Sequence, residues 1–342
     1  MRKETTLPAR RLALSAFCLL LPCASAAAQT GDDLRSDHPD RYVVQQGDTL
    51  WDIANKFLKE PWQWPSSLQR QENETGGNPA PLFPGDLLVV TSDRRIKTVR
   101  VKPRVRAHPL DRAIPTIPPH IIEPFLNASL IVKPGEMEKF GHVVGGVDDE
   151  LVMGKYNDFY ARGLEDIRAQ KYRIFRAGQP LRHPQTGELL GIEGIHVGEA
   201  EMVRWADDTA RLRISNSEQE VVPGDRLVPM EDEPPLPYYQ PRAPAPDLTG
   251  WIIYAPRGVK EAGKYDIVIV TGGRADGIEE GHVLKAIFHR GARVDPVTGE
   301  QYQVPDEASG LLMVINVFDR VSYALIIQSN RQIALGDAWE AP

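Results

Sequence analysis

The chain has 342 residues and a formal net charge of −7, and 42% of its residues are hydrophobic while 25% are charged. These values are typical of a soluble protein with one or two folded domains, and they argue against nucleic acid as a partner. The sequence contains two cysteines, Cys18 and Cys23.

The first residues have the pattern of an export signal. A basic start is followed by an apolar stretch at 12–21, too short to cross a bilayer as a helix, and then by small residues at 24–28. We therefore expect residues 1–28 to be a signal peptide and the mature protein to be periplasmic. Both cysteines fall within this segment, so we expect no disulfide, thiolate metal site or cysteine nucleophile afterwards.

Two proline-rich stretches divide the rest of the chain. Proline lacks the amide that a β-ladder needs and favours extended conformations, so both stretches are expected to be semi-rigid linkers. The predicted parts are a first domain at 41–91, a basic, proline-rich linker at 92–124, a β-rich repeat at 125–232, a proline-rich linker at 233–247 and a second β-rich repeat at 248–342.

The first domain combines short strands with helices. Residues 42–44 predict a strand, and Thr49 is the expected N-cap of a helix. A shorter second helix is expected to begin at Pro65 and to contain Leu68, and residues 87–90 predict a second strand. The apolar residues of the first helix recur at the spacing of one buried face: Leu50, Ile53, Ala54, Phe57 and Leu58. The expected order is βααβ.

The two β-rich regions look like copies of one another. Gly187 and Gly224 are 37 residues apart, and so are Gly299 and Gly336. The matching segments are 183–188 with 295–300, 223–225 with 335–337, and 154–156 with 263–265. These landmarks predict an internal duplication. The fold class expected for the whole chain is α+β: a small βααβ domain followed by a duplicated, mainly β region.

The motifs of the first domain resemble those of the LysM domain, a module that binds N-acetylglucosamine-containing glycans. The resemblance covers residues 42–90 and implies a shallow groove between two loops. Its expected glycan-binding residues are Gly47, Asp48, Thr49 and Leu50 on one wall and Leu82, Phe83 and Pro84 on the other. Amides at a helix start can bond acetamido carbonyls while an apolar wall takes the methyl group. The alternative is that these residues only build turns and core.

Two features of the sequence invite competing interpretations. Trp62 and Trp64, which depart from the LysM pattern, can stack on sugar faces, but in so small a domain they are expected to cover its core. Residues 223–225 imitate the Pro-Gly-Asp turn at 84–86, yet no LysM-like helix precedes them, so we interpret them as a tight turn entering a strand.

A basic run lies directly after the LysM-like domain, at residues 94–106. On an acidic protein it can dock on anionic wall polymer or lipid head groups. Its alternation with apolar residues favours the other interpretation, a solvated linker strand.

Catalysis is the main functional alternative, because many LysM proteins are cell-wall hydrolases. Zinc amidases and endopeptidases need clustered histidines, and the eight histidines contain neither His-x-His nor His-Glu-x-x-His. Glutamate-based lytic enzymes use a deep cleft in a helical domain, which a duplicated β region does not suggest. We expect no catalytic residue, no metal and no cofactor, and a peptidoglycan-remodelling enzyme remains the alternative.

The arrangement of the whole chain resembles the LysM-containing secretin-associated proteins of type IV pili, whose C-terminal part is similar to the flagellar FlgT region. The segments that carry this likeness are 223–229, 276–284, 318–325 and 336–337. The resemblance implies that the LysM domain binds peptidoglycan close to the outer membrane while the C-terminal region surrounds or braces the pilus secretin ring. Because a single shallow LysM site should bind weakly, we also expect several copies around the ring. A wall-bound scaffold for another complex, such as a flagellar ring, is a further alternative.

Overall fold

The computed structural model describes residues 34–64, 68–69, 82–93, 96–102, 115–122, 130–164, 169–230, 239–256 and 261–342. The predicted signal peptide at 1–28 lies outside these residues. Within them, no helix is both long and apolar enough to cross a membrane.

The first domain is a four-stranded sheet packed against one short helix. The sheet order is β1-β3-β4-β2, with β1 antiparallel to β3 and β2 parallel to β4. The elements are β1 (Arg41–Val43), α1 (Leu50–Phe57), a 3-10 helix (Pro61–Gln63), β2 (Leu68–Gln69), β3 (Leu87–Asp93) and β4 (Ile96–Lys102).

This arrangement only partly matches the expected βααβ order. The first helix and the two flanking strands are present, but the second helical element is a 3-10 helix that precedes Pro65, and Leu68 lies in strand β2. Strand β4 pairs with β3 along its whole length. Residues 96–102, which the sequence assigns to the linker, therefore belong to the sheet of the first domain.

Helix α1 begins and packs as its sequence predicts. The side-chain hydroxyl of Thr49 accepts a hydrogen bond from the amide of Asp52 at 3.1 Å and donates to the Asp52 carboxylate at 2.7 Å. The predicted apolar face is buried in the core of the domain, which consists of Leu34, Val44, Leu50, Ile53, Ala54, Phe57, Leu58, Trp64, Leu82 and Leu88. The prediction that the first helix buries one apolar face is confirmed.

The second region is a sheet in which six strands close on themselves. The order is β10-β7-β6-β11-β8-β9, a further pairing of β9 with β10 closes the ring, and β5 adds to β9. The strands are β5 (Leu130–Val132), β6 (Gly141–Gly146), β7 (Asp158–Arg162), β8 (Lys171–Arg182), β9 (Leu189–Ala206), β10 (Thr209–Ser217) and β11 (Arg226–Pro229).

The third region is a closed barrel of order β12-β14-β19-β18-β15-β21. Two small two-stranded sheets, β13 with β20 and β16 with β17, accompany it. The strands are β12 (Thr249–Tyr254), β13 (Glu261–Ala262), β14 (Ile267–Thr271), β15 (Val283–Phe288), β16 (Ala292–Val294), β17 (Gln301–Gln303), β18 (Glu307–Val317), β19 (Val321–Ser329), β20 (Ile333–Ala334) and β21 (Ala338–Glu340). The chain is thus mostly β, and α+β describes only its first domain.

The two barrels have the same strand connections and the same turns. Tyr156 and Tyr265 both have φ of 74°, and their amides donate to the equivalent carbonyls of Ile214 and Ile326. A Pro-Gly-Asp or Leu-Gly-Asp turn enters the last strand of each barrel and also strand β3 of the first domain. In each turn the glycine has a φ between 92° and 95°, and the aspartate accepts the amide three residues before it. Residues 223–225 are therefore a tight turn of a type that all three folded regions share.

One buried apolar cluster joins the three folded regions that the structure describes. It contains Trp51 from helix α1, residues of 115–122, residues of the first barrel, Tyr239 from the second proline-rich stretch, and strands β14, β15, β18 and β19 of the second barrel. Ion pairs also join the barrels: Lys133 lies 3.2 Å from Asp319, and Arg320 lies 2.5 Å from Glu188. Ile117 and Ile122 of the first predicted linker and Tyr239 of the second are thus packed between folded domains.

Candidate functional site

The loop between β1 and α1 forms the first wall of the predicted groove. Gly47 is exposed and has a φ of +94°, a conformation that favours glycine. The carboxylate of Asp48 accepts hydrogen bonds from the amide of Gln45 and the hydroxyl of Tyr42, both at 2.8 Å. The ammonium of Lys56 donates to the same hydroxyl at 2.7 Å. Asp48 thus holds the loop in shape.

The start of helix α1 supplies the donors of this wall. Thr49 and Leu50 are both 3% exposed, the first because it caps the helix and the second because it packs into the domain core. Their side chains face the protein, so the groups available for recognition are backbone amides.

The loop before β3 forms the second wall. Leu82 is buried in the core, whereas Phe83 and Pro84 are half-buried. The carboxylate of Asp86 accepts the amide of Phe83 at 3.0 Å and fixes this turn.

Val44 connects the two walls directly. Its amide donates to the carbonyl of Asp86 at 2.9 Å, and its carbonyl accepts the amide of Gly85 at 2.8 Å. The structure therefore brings the two predicted loops together at one edge of the domain, with Phe83 and Pro84 as its half-buried surface.

A third segment, which the sequence interpretation did not place here, contacts the helix start. The amide of Leu50 donates to the carbonyl of Pro115 at 2.9 Å, and the amide of Trp51 donates to the carbonyl of Thr116 at 3.3 Å. The next residue, Ile117, is 3% exposed. Ile117 is the one sequence feature that could have suggested packing of this segment, since a solvated spacer has no need of apolar residues.

The two tryptophans after the helix have different environments. Trp64 is 1% exposed and lies in the domain core, with its ring centroid 6.4 Å from that of Phe57. Trp62 is half-buried and packs against the apolar cluster that joins the domains. The interpretation of these residues as core cover holds for Trp64, while Trp62 covers the contact between domains.

A cavity of about 660 Å³ lies away from the LysM domain, between the turn at 183–185 and the second barrel. Among its lining side chains, the ammonium of Lys285 lies 2.6 Å from the carboxylate of Glu340, and the Nδ1 of His289 lies 2.8 Å from the carboxylate of Asp306. Across the described ranges, no group of three or more His, Cys, Asp or Glu side chains is arranged to hold a metal ion.

Comparisons with known proteins bear on the first domain. Residues 42–91 match the LysM domain family. The search of curated proteins finds no match to the chain. The matched range contains both walls of the groove and helix α1. The chain therefore carries a LysM domain, the module that binds N-acetylglucosamine-containing glycans such as peptidoglycan.

Proposed function

We propose that this protein is a non-enzymatic periplasmic adaptor that binds peptidoglycan and anchors or stabilises the outer-membrane secretin of type IV pili in the cell wall. The observation that carries the proposal is the union of a LysM domain with two barrels of one topology through a shared buried cluster. A glycan-binding domain packed against two β-barrels suits a protein that connects the cell wall to the secretin.

The chemistry of the LysM site supports binding. Its recognition groups are the backbone amides at the helix start, of which those of Leu50 and Trp51 are bonded in this structure to the carbonyls of Pro115 and Thr116, and the half-buried surfaces of Phe83 and Pro84. Its carboxylates, Asp48 and Asp86, are hydrogen-bonded to the loops that they hold. Such a site can recognise an acetamido group, while hydrolysis of a glycoside needs two carboxylates that flank the scissile bond.

The shallow groove predicts weak attachment for one copy of the chain. Several copies around a ring convert weak sites into firm attachment, because after the first contact the remaining ones form at high effective concentration. The resemblance of the whole chain to secretin-associated proteins supports the secretin as the structure that arranges these copies.

The direct test is to purify the tagged full chain from envelopes after in vivo crosslinking, before and after muramidase digestion. We expect the pilus secretin to co-purify in both samples and deletion of the gene to reduce surface pili. Undisturbed pili and secretin after deletion would contradict the pilus role. Co-purification of the ring of another envelope complex would favour a scaffold role for that complex over the pilus role. A clearing zone in a zymogram on sacculi would show that the protein is an enzyme.

A further inference from the structure

The start of helix α1 has four amides that cannot bond within the helix, those of the N-cap and of the first three helical residues. The amide of Asp52 is satisfied by the Thr49 hydroxyl. The amides of Leu50 and Trp51 are satisfied by the carbonyls of Pro115 and Thr116. Three of the four donors at the helix start, the amides of Leu50, Trp51 and Asp52, are therefore already bonded to the protein itself.

The segment 115–117 offers the same chemistry as an N-acetyl sugar. A peptide carbonyl and an acetamido carbonyl are the same functional group, and both accept a hydrogen bond from a backbone amide. Ile117 then adds an apolar side chain, 3% exposed, in the cluster that contains Trp51. The segment combines an amide acceptor with an apolar group, as an acetamido group does.

The same segment is held on its other side by the C-terminal region. The hydroxyl of Thr116 donates to the carbonyl of Tyr239 at 2.6 Å, and the hydroxyl of Tyr239 donates to the carbonyl of Ile315 in strand β18 at 2.8 Å. A continuous chain of hydrogen bonds thus runs from the helix start to the second barrel.

We propose that segment 115–117 occupies the acetamido site of the LysM domain, so that glycan binding and docking of the helix start on this segment are mutually exclusive. This inference rests on the proposed glycan-binding function. Free glycan must displace the segment, which lowers its apparent affinity by the fraction of molecules that are open. By reciprocity, bound glycan releases the segment from the helix.

The test uses the full chain and an N-acetylglucosamine hexamer as the probe. Ile117→Asp should weaken docking and raise the affinity for the hexamer about tenfold or more, as expected when a mostly closed site is opened. Val297→Asp is the matched control, because it adds the same charge at a residue that is 90% exposed. Tyr239→Ala, which leaves the LysM domain untouched, should act in the same direction as Ile117→Asp.

Hydrogen exchange provides an independent readout on the wild-type chain. The hexamer should accelerate amide exchange within 116–122 while it protects the loop at 45–51. The inference would be overturned if the hexamer binds without accelerating exchange and if the wild type, Ile117→Asp and Tyr239→Ala bind it with equal affinity. That result would leave the proposed function standing. If no variant binds the hexamer, the proposed function fails and the inference fails with it.

Discussion

At the scale of single residues, side chains assigned to recognition also have structural roles. Asp48 fixes its loop, Thr49 caps helix α1, and Leu50 fills the core. The sequence signalled the capping and the burial because both follow local rules of spacing. It could not signal that Pro115 and Thr116 would satisfy the helix amides, since that contact joins residues more than 60 positions apart.

Glu193 is a second residue whose behaviour depends on long-range packing. It lies in strand β9, is 6% exposed, and accepts a hydrogen bond from Tyr254 of strand β12. Burial raises the pKa of its carboxyl above the ordinary 4.5, although the bond from Tyr254 partly opposes this. Burial, and after it the charge and the hydrogen bond of Glu193, raises the pKa of Tyr254 to about 12.

We predict that Glu193 makes the folded state less stable as the pH rises. The unfolded chain loses this proton near pH 4.5, whereas the folded chain keeps it to a higher pH, so the free energy of unfolding falls between the two values. Glu193→Gln should remove this decline. Urea denaturation of both proteins from pH 4 to pH 8 measures it, and parallel profiles would contradict the assignment.

At the scale of elements, one type of turn recurs in all three folded parts. Gly85, Gly224 and Gly336 each precede an aspartate that closes the turn, and each has a φ above 90°. The sequence predicted these turns because the turn preferences of glycine and aspartate depend only on residues close to them in the chain. It missed the 3-10 helix at Pro61–Gln63 and the pairing of β4, because both depend on tertiary contacts.

Alanine substitutions should separate backbone strain from steric conflict. Gly85→Ala, Gly224→Ala and Gly336→Ala should each cost about 1–2 kcal/mol, because a Cβ there has free space but the backbone is left-handed. Gly310→Ala should cost more, since its Cβ would meet the carbonyl oxygen of Gln328. Thermal unfolding measures these costs. Similar losses for all four variants would contradict the distinction.

At the scale of the whole molecule, the described parts of the predicted linkers take part in packing. The sequence predicted semi-rigid spacers from proline content alone, yet Ile117, Ile122 and Tyr239 belong to the buried cluster that joins the domains. The matching strand order of the barrels was signalled by glycine spacing, whereas their closure into rings depends on pairings that no local pattern encodes.

Trp51→Ala should separate the LysM domain from the rest of the chain without unfolding it. Trp51 is 5% exposed and packs in the shared cluster, whereas Phe57 packs in the core of the LysM domain itself. Trp51→Ala should cost about 3 kcal/mol and expose residues 115–122 to protease. Phe57→Ala, the comparison variant, should instead unfold the LysM domain. Identical protease fragments from both variants would contradict this division.

The central claim is that the LysM domain of this chain binds peptidoglycan, and sedimentation of the full chain with purified sacculi tests it most directly. We expect the wild type to pellet, and Phe83→Ala to bind about tenfold more weakly through loss of the aromatic wall. Tyr302→Ala, at an aromatic residue that is 49% exposed in strand β17 outside the barrel, should pellet like the wild type. A wild-type chain that stays in the supernatant, or equal pelleting of all three proteins, would contradict the account.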